Sequence, residues 1–195
     1  MGRAPMGGAD EYRGVAGAFT ATVEGVRPED WDRPAPPEGW VARDVVRHLI
    51  DWFSAFLRGA TGITLPAGPP VDEDPAGAWR THSDAVQALL DDREAADREH
   101  DFPHIGRMAL GQAVAMVYTG DVFLHRWDLA RATGQDEVLD PGRCAEMLAA
   151  MVPMDDALRH SGHYGPRVDV PDDADVQTRL LAFIGRDPFG PSLSG

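Results

Sequence analysis

GDVFLHRWDLARATG, residues 120–134, sets an aspartate and a histidine one helical turn apart, Asp121 and His125, inside a run whose apolar residues recur in helical rhythm. At 100° per residue, His125 falls in line with Val114, Tyr118, Val122 and Leu129, and Asp121 lies about 40° to one side. Both ligand-type side chains therefore face the interior that the apolar stripe is meant to bury. Gly134 is a natural stop, and the helix is predicted over about 107–133.

Further helices follow from the same periodicity. Tyr12, Val15, Phe19, Val23 and Val26 predict a helix over 10–26, closed by Arg27-Pro28. Val41, Val45, Leu49, Trp52 and Phe56 predict a second over 41–58, with Asp44 in its first turn, where a carboxylate suits the positive end of the dipole. Trp79, His82, Val86 and Leu89 mark the buried side of a third, over about 76–98, whose DDREAADREHD end (91–101) reads as a solvated charge run. A shorter helix is predicted over 141–151 and a last one near 174–185. The Pro-rich segments RPEDWDRPAPPEGW (27–40) and TGITLPAGPPVDEDPAG (61–77) read as stiff connections, and SGHYGPRVDVPDD (161–173) as a loop. No period-2 pattern is long enough to predict a sheet. The expectation is an all-α chain in one domain, 1–195: a four-helix bundle over about 10–134 and a short C-terminal helical extension over about 135–190. The long connections permit crossovers in place of a simple up-down-up-down order.

Composition narrows the partners. With 43% hydrophobic and 26% charged residues the chain reads as a soluble globular protein, and no apolar run approaches the about 20 residues of a membrane span. The opening MGRAPMGGADEYRG lacks the apolar block of a secretory leader. The net charge of −14 repels phosphate backbones, which disfavours nucleic acid. A single cysteine, Cys144, excludes an internal disulfide, fits a reducing, cytoplasmic compartment, and is expected to be buried and inert. All 18 basic residues are arginine and asparagine is absent, a pattern of GC-rich coding.

Acid-x-x-x-His spacing alone is weak evidence, since the chain holds 32 acidic residues and seven histidines. Asp44/His48, Asp121/His125 and Asp156/His160 all have it, and His100/His104 pairs two imidazoles at the same interval. Pro103 breaks the last pair, and His160 is expected to serve a helix end. On the second helix His48 sits at the edge of the apolar stripe. Three ligand-type residues, His48, Asp121 and His125, thus point inward from two helices, with His82 beside Trp79 as a further candidate. A divalent metal would offset the cost of burying the carboxylate; a self-satisfied Asp–His pair would do so as well.

Beyond spacing, GWVARDVVRHLIDW (39–52) resembles a Trp-x-x-x-Asp-x-x-x-His-Leu pattern, and GDVFLHRWDLARATG resembles an acid-x-x-x-His-x-Trp-Asp-Leu-Ala pattern. These are the two signature segments of the mycothiol-dependent maleylpyruvate isomerase N-terminal family, within the DinB-like metal-binding superfamily. YGPRVDVPDDADVQTRLLAFIGRDP (164–188) resembles the ending of a short actinobacterial branch. The resemblance implies a DinB-like four-helix bundle holding one divalent metal, zinc or nickel, through His48, Asp121 and His125. It also implies a small-molecule thiol partner, mycothiol, whose thiol the metal activates against an electrophile, and a homodimer. Asp121 stands where the isomerase pattern has glutamate, and only residues 135–195 follow Gly134, where the isomerase carries a larger substrate-binding domain. Isomerisation of maleylpyruvate itself is therefore not expected. The expected activity is a thiol-dependent transferase or isomerase on another small electrophile; the alternatives are a non-catalytic metal-binding or dimeric module, or an apolar pocket lined by Trp52, Trp79, Tyr118 and Trp127. Trp127 is expected to pack on the fifth helix or the tail, and Asp128 to orient an imidazole.

Overall fold

A computed structural model of the chain describes residues 8–160 and 164–190. The leader reading for residues 1–7 and the loop residues 161–163 lie outside it. The described residues are mostly helical: α1 (Gly8–Glu24), α2 (Ala42–Thr61), α3 (Pro75–Asp91), a short α4 (Arg93–Asp97), a hairpin of β1 (Glu99–Phe102) and β2 (Gly106–Ala109), α5 (Leu110–Ala113), α6 (Gly120–Thr133), α7 (Pro141–Met151), α8 (Asp155–His160) and α9 (Val176–Phe183). No helix among them is long and apolar enough to cross a membrane.

Local chemistry sets the helix ends. Asp74 and Asp140 each accept a hydrogen bond from a first-turn amide, with proline next in the chain, and Asp175 caps α9 in the same way. Gly62 and Gly134 close α2 and α6 at φ 75° and 69°, in the left-handed conformation a helix stop of this kind needs. At the end of α1, Gln135 Nε2 donates to the Thr22 carbonyl, and a Cβ on Gly25 would collide with the Gln135 side chain.

The bundle consists of α1, α2, α3 and the rod that ends in α6. Each packs against two others: α1 against α3 and α6, and α2 against the same pair. Arg13 at the start of α1 pairs with Asp91 at the end of α3, and Glu24 at the end of α1 with Arg80 near the start of α3, so these two run antiparallel. Tyr12 stacks on Tyr118 while Thr22 meets Gln135, so α1 and the rod run parallel. His48 lies by His125 and Phe53 by Tyr118, so α2 and the rod are antiparallel. The order is up-down-down-up, and α2 and α3 are parallel neighbours. Their link must return the length of α2, about 30 Å for its 20 residues. Gly62 to Asp72, at about 3.3 Å per extended residue, suffices. Asp72 duly reaches Arg43 and Arg47 at the start of α2.

Three local departures from the sequence reading have physical reasons. The third helix does not continue to residue 98: Asp92 leaves it at ψ 101° and caps α4. Residues 99–109 form a two-stranded antiparallel ladder, Glu99 opposite Ala109 and Phe102 opposite Gly106, where no strand was expected. EHDF and GRMA carry no alternation to betray it; Phe102, stacked on Phe56 with ring centres 5.4 Å apart, is the buried residue that anchors it. The fourth helix begins at Leu110, not 107, and Val114–Thr119 between α5 and α6 is a π-helical turn. Backbone angles at Val114 and Gly120 remain right-handed, so the rod is continuous, and Thr119 Oγ1 donates to the Val114 carbonyl five residues back.

The rod also serves a second core. Phe123, Leu124 and Trp127 on α6 pack with Leu139, Cys144, Leu148 and Met151 around α7 and with Leu180, Leu181, Phe183 and Ile184 around α9. α6 is consequently buried almost all round rather than on one stripe. Trp127 is 1% exposed in this second core, as the sequence reading expected of it, with the Arg131 guanidinium over its ring. Trp127→Ala is expected to cost about 3–5 kcal/mol. Urea unfolding reads the loss, and native-state hydrogen exchange should show α7 and α9 loosened before α1 and α3.

Candidate metal centre

Each donor is placed by the face its helix buries. On α2, Val45, Leu49 and Phe53 are at most 1% exposed, and Asp44 Oδ2 accepts from the Val41 amide at 2.9 Å, which fixes the first turn. His48, at the edge of that face, keeps 33% side-chain exposure. On α6, Asp121 and His125 occupy successive turns, with side chains 24% and 7% exposed. The antiparallel pairing of α2 and α6 brings the three together, with one ligand atom from each within 4.8 Å of the others. His48 Nε2 stands 3.4 Å from Asp121 Oδ2, and His125 Nε2 stands 3.5 Å from Asp121 Oδ1. Two donors bound tetrahedrally to one ion at about 2.1 Å stand about 3.4 Å apart. Each imidazole nitrogen thus stands near that separation from one of the two carboxylate oxygens, farther than in a good hydrogen bond.

Aromatic rings wall the cluster. An isolated bridge between Pro34 and Val41, and Ala35 N–H donating to the Trp40 carbonyl at 2.9 Å, fold the first long connection back over α2. Trp40 then stacks on His125, ring centres 5.8 Å apart and planes 14° apart, and lies 4.9 Å from the His48 ring. Trp52 Nε1 donates to Asp121 Oδ2 at 2.9 Å and holds that carboxylate in place.

Behind His125 lies an ionic chain. Its Nδ1–H donates to Asp128 Oδ2 at 2.8 Å, which leaves Nε2 facing Asp121. Arg186 reaches the same carboxylate from the C-terminal segment, Nε to Oδ1 at 2.8 Å and Nη2 to Oδ2 at 3.0 Å. Burial works to raise the pKa of Asp128, but His125 and Arg186 outweigh it and hold the group below the usual carboxylate range. Asp121 likewise ends low against its burial, chiefly through the imidazoles of His125 and His48. Burial would lower the His125 pKa, yet Asp121 and Asp128 carry it above the ordinary value.

Other candidates fall elsewhere. His82 is buried on α3 with its Nε2 2.8 Å from the Tyr118 hydroxyl, and burial pushes its pKa down to about 4; it is a neutral core histidine outside the cluster. Asp44 serves Val41 and Arg47 rather than His48. His160 Nδ1 donates to the Asp156 carbonyl at 2.5 Å, the helix-end role expected of it. His100 lies on β1, and His104 lies in the hairpin turn at φ 69°. Cys144 is fully buried, and that burial raises its pKa to about 11. Trp79, Tyr118 and Trp127 are at most 1% exposed and are packed in the cores. The sequence reading missed Trp40 and Arg186. Trp40 belongs to the first signature segment, whereas nothing local marks Arg186, 58 residues from its partner.

The sequence profile of the mycothiol maleylpyruvate isomerase N-terminal domain matches residues 12–130. Uncharacterized proteins from two strains of Mycobacterium tuberculosis, CDC 1551 / Oshkosh and ATCC 25618 / H37Rv, are each 30% identical over 175 residues, covering 87% of this chain and 92% of the relative. No solved structure matches the chain significantly. The chain belongs to the mycothiol maleylpyruvate isomerase N-terminal domain family.

The ionic chain gives the metal-free protein a defined pH response. A His125 cation with a raised pKa stabilises the fold fully below the unfolded imidazole value of about 6.5, and that stabilisation is lost as pH rises through the folded value. Asp121 and Asp128, held low, stabilise above about pH 3.9, and their contribution is lost as pH falls through their folded values. Thermal melts in chelator should therefore decline on the alkaline side above about pH 6.5, and His125→Asn should abolish that decline. A wild-type melting temperature level from pH 6 to 9 would contradict a charged His125.

Proposed function

We propose that this family member holds one divalent cation, zinc or nickel, on His48, Asp121 and His125, and there catalyses a thiol-dependent transfer or isomerisation of a small electrophile, with mycothiol as the thiol. The observation that carries this reading is the spacing of two imidazole nitrogens around one carboxylate, 3.4 and 3.5 Å, with an aromatic wall on one side and partial exposure of His48 and Asp121 on the other. Two imidazoles and one carboxylate suit zinc or nickel and leave a position for a further ligand. The shorter aspartate, where the isomerase pattern has glutamate, still lies within reach of both rings.

When bound, such an ion supplies Lewis acidity and lowers the pKa of a thiol that reaches it. The protein's own groups do the remainder. Trp52 fixes the Asp121 carboxylate, and Asp128 fixes the tautomer and plane of His125. Trp40 covers the His125 ring and excludes water from that side, so a ligand enters past His48 and Asp121.

Metal content by elemental mass spectrometry tests the reading. About one equivalent per chain is expected in the wild type and none in the His48→Ala/His125→Ala double variant. Thiol-dependent turnover in a mycothiol-and-electrophile screen should fall at least about 100-fold in the double variant. No metal in either protein after zinc or nickel is offered would overturn the reading; metal without thiol binding or turnover would leave a non-catalytic binding module.

A further inference from the structure

We propose that Arg186 is a positioning residue for the metal centre, and that through it the docking of the C-terminal segment and the affinity of the cation site are coupled. The inference rests on the cation site proposed above and concerns a residue well outside its donor set.

Arg186 is aimed by the backbone that precedes it. α9 ends in a left-handed glycine: Gly185 has φ 84°, its amide donates to Ala182 O at 3.2 Å, and the Arg186 amide donates to Leu181 O at 2.9 Å. These are the two paired hydrogen bonds of a Schellman stop. The turn is packed backbone against backbone, for a Cβ on Gly185 would stand 2.8 Å from Gly165 Cα and 2.9 Å from the Pro166 carbonyl oxygen. Arg159 on α8 braces the same crossing by donating to the Gly165 and Phe183 carbonyls. The guanidinium is thereby delivered to α6 from a fixed point, 19% exposed, as a fork on a carboxylate that is 2% exposed.

The fork decides what Asp128 can do for His125. One carboxylate oxygen, Oδ2, accepts from both Arg186 Nη2 and His125 Nδ1, and Oδ1 accepts from Arg186 Nε. Two effects of the guanidinium oppose each other at the donor nitrogen: it draws charge from the carboxylate, which makes His125 Nε2 less basic, and it holds the carboxylate ionised and in plane. Positioning wins, because a carboxylate deprived of its two-point hold on the guanidinium is no longer fixed in plane and can turn away from the His125 Nδ1–H. Outer partners of metal-bound histidines are generally worth about 10- to 100-fold in metal affinity. Coupling is reciprocal: if docked Arg186 favours the cation, the cation favours the docked segment by the same factor.

The test measures zinc affinity by chelator competition on folded wild type, Arg186→Gln, Arg186→Lys and Gln177→Ala. Gln177 fastens α9 elsewhere, accepting from the Leu139 amide at 2.8 Å and donating to the Glu137 carbonyl at 2.9 Å, and touches none of the ionic chain. Zinc binding about 10-fold weaker or more is expected in Arg186→Gln, an intermediate loss in Arg186→Lys, which keeps charge but not the fork, and wild-type affinity in Gln177→Ala. Saturating zinc should slow amide exchange across 176–186 in the wild type and not in Arg186→Gln. Wild-type affinity in both Arg186 variants, or an equal loss in Gln177→Ala, overturns the proposal while leaving the cation site standing. Absence of zinc binding from the wild type removes the site and the proposal together. Should Arg186→Gln fail to fold, Arg186→Lys decides by the same criterion.

Discussion

Asp128 is 1% exposed and ionised, and much of the molecule is arranged to permit that. A buried carboxylate without partners costs several kcal/mol. Here an imidazole from its own helix and a guanidinium from 58 residues away supply three short hydrogen bonds. Such networks add little stability compared with a well-packed apolar replacement. What this one specifies is geometry: it sets the tautomer of His125, and it draws the C-terminal segment onto α6. The two cores, one within the bundle and one around α7 and α9, meet on the helix that carries this charge.

Topology does the rest of the placement. Because α2 runs antiparallel to the rod that ends in α6, the first half of α2 meets the rod from its middle onward, and residues 73 positions apart in sequence, His48 and Asp121, become neighbours. The overhand link from Gly62 to Asp72 makes that order possible by returning the chain to the end of the bundle where α2 began. Its prolines keep the return extended. The connection between α1 and α2 covers the same region and contributes Trp40, so a Pro-rich loop with little regular structure becomes one wall of the donor cluster.

Much of the fold was legible because its signals are local. The Gly134 stop, the Pro-rich connections and the apolar stripes of α1, α2 and α3 each report a short-range requirement of the backbone. The hairpin was not legible, since Phe102 is the one apolar residue in a strand otherwise of Glu, His and Asp. A wheel drawn at 100° per residue cannot register a π turn, so the alignment of His125 with Val114 and Tyr118 crosses a change of register; all three are buried, but α6 is covered on nearly every side whereas the turn before it exposes Met116. The three donors stood out in the sequence because they lie inward on two helices and inside two recognisable segments, and the structure gathers them. His82 satisfied the same inward criterion and found a tyrosine instead. Arg186 lay beyond any such reasoning, because its partner is set by tertiary packing.

The wide turn at Val114–Thr119 ties the length of the chain to the identity of its neighbours. A π turn spends one residue more than an α turn over the same rise. Losing a residue there would let the rod close up as ordinary helix, with Asp121, His125 and Asp128 undisturbed downstream. Because the wide turn absorbs its extra residue within itself, the upstream faces would keep their direction too, and the change would fall on the turn's own side chains, among them Tyr118, which stacks on Phe53, 3.9 Å from ring centre to ring centre, and meets the Nε2 of His82. A chain one residue shorter there would thus keep the His48, Asp121 and His125 cluster but have to rebuild the turn that carries the buried tyrosine–histidine pair.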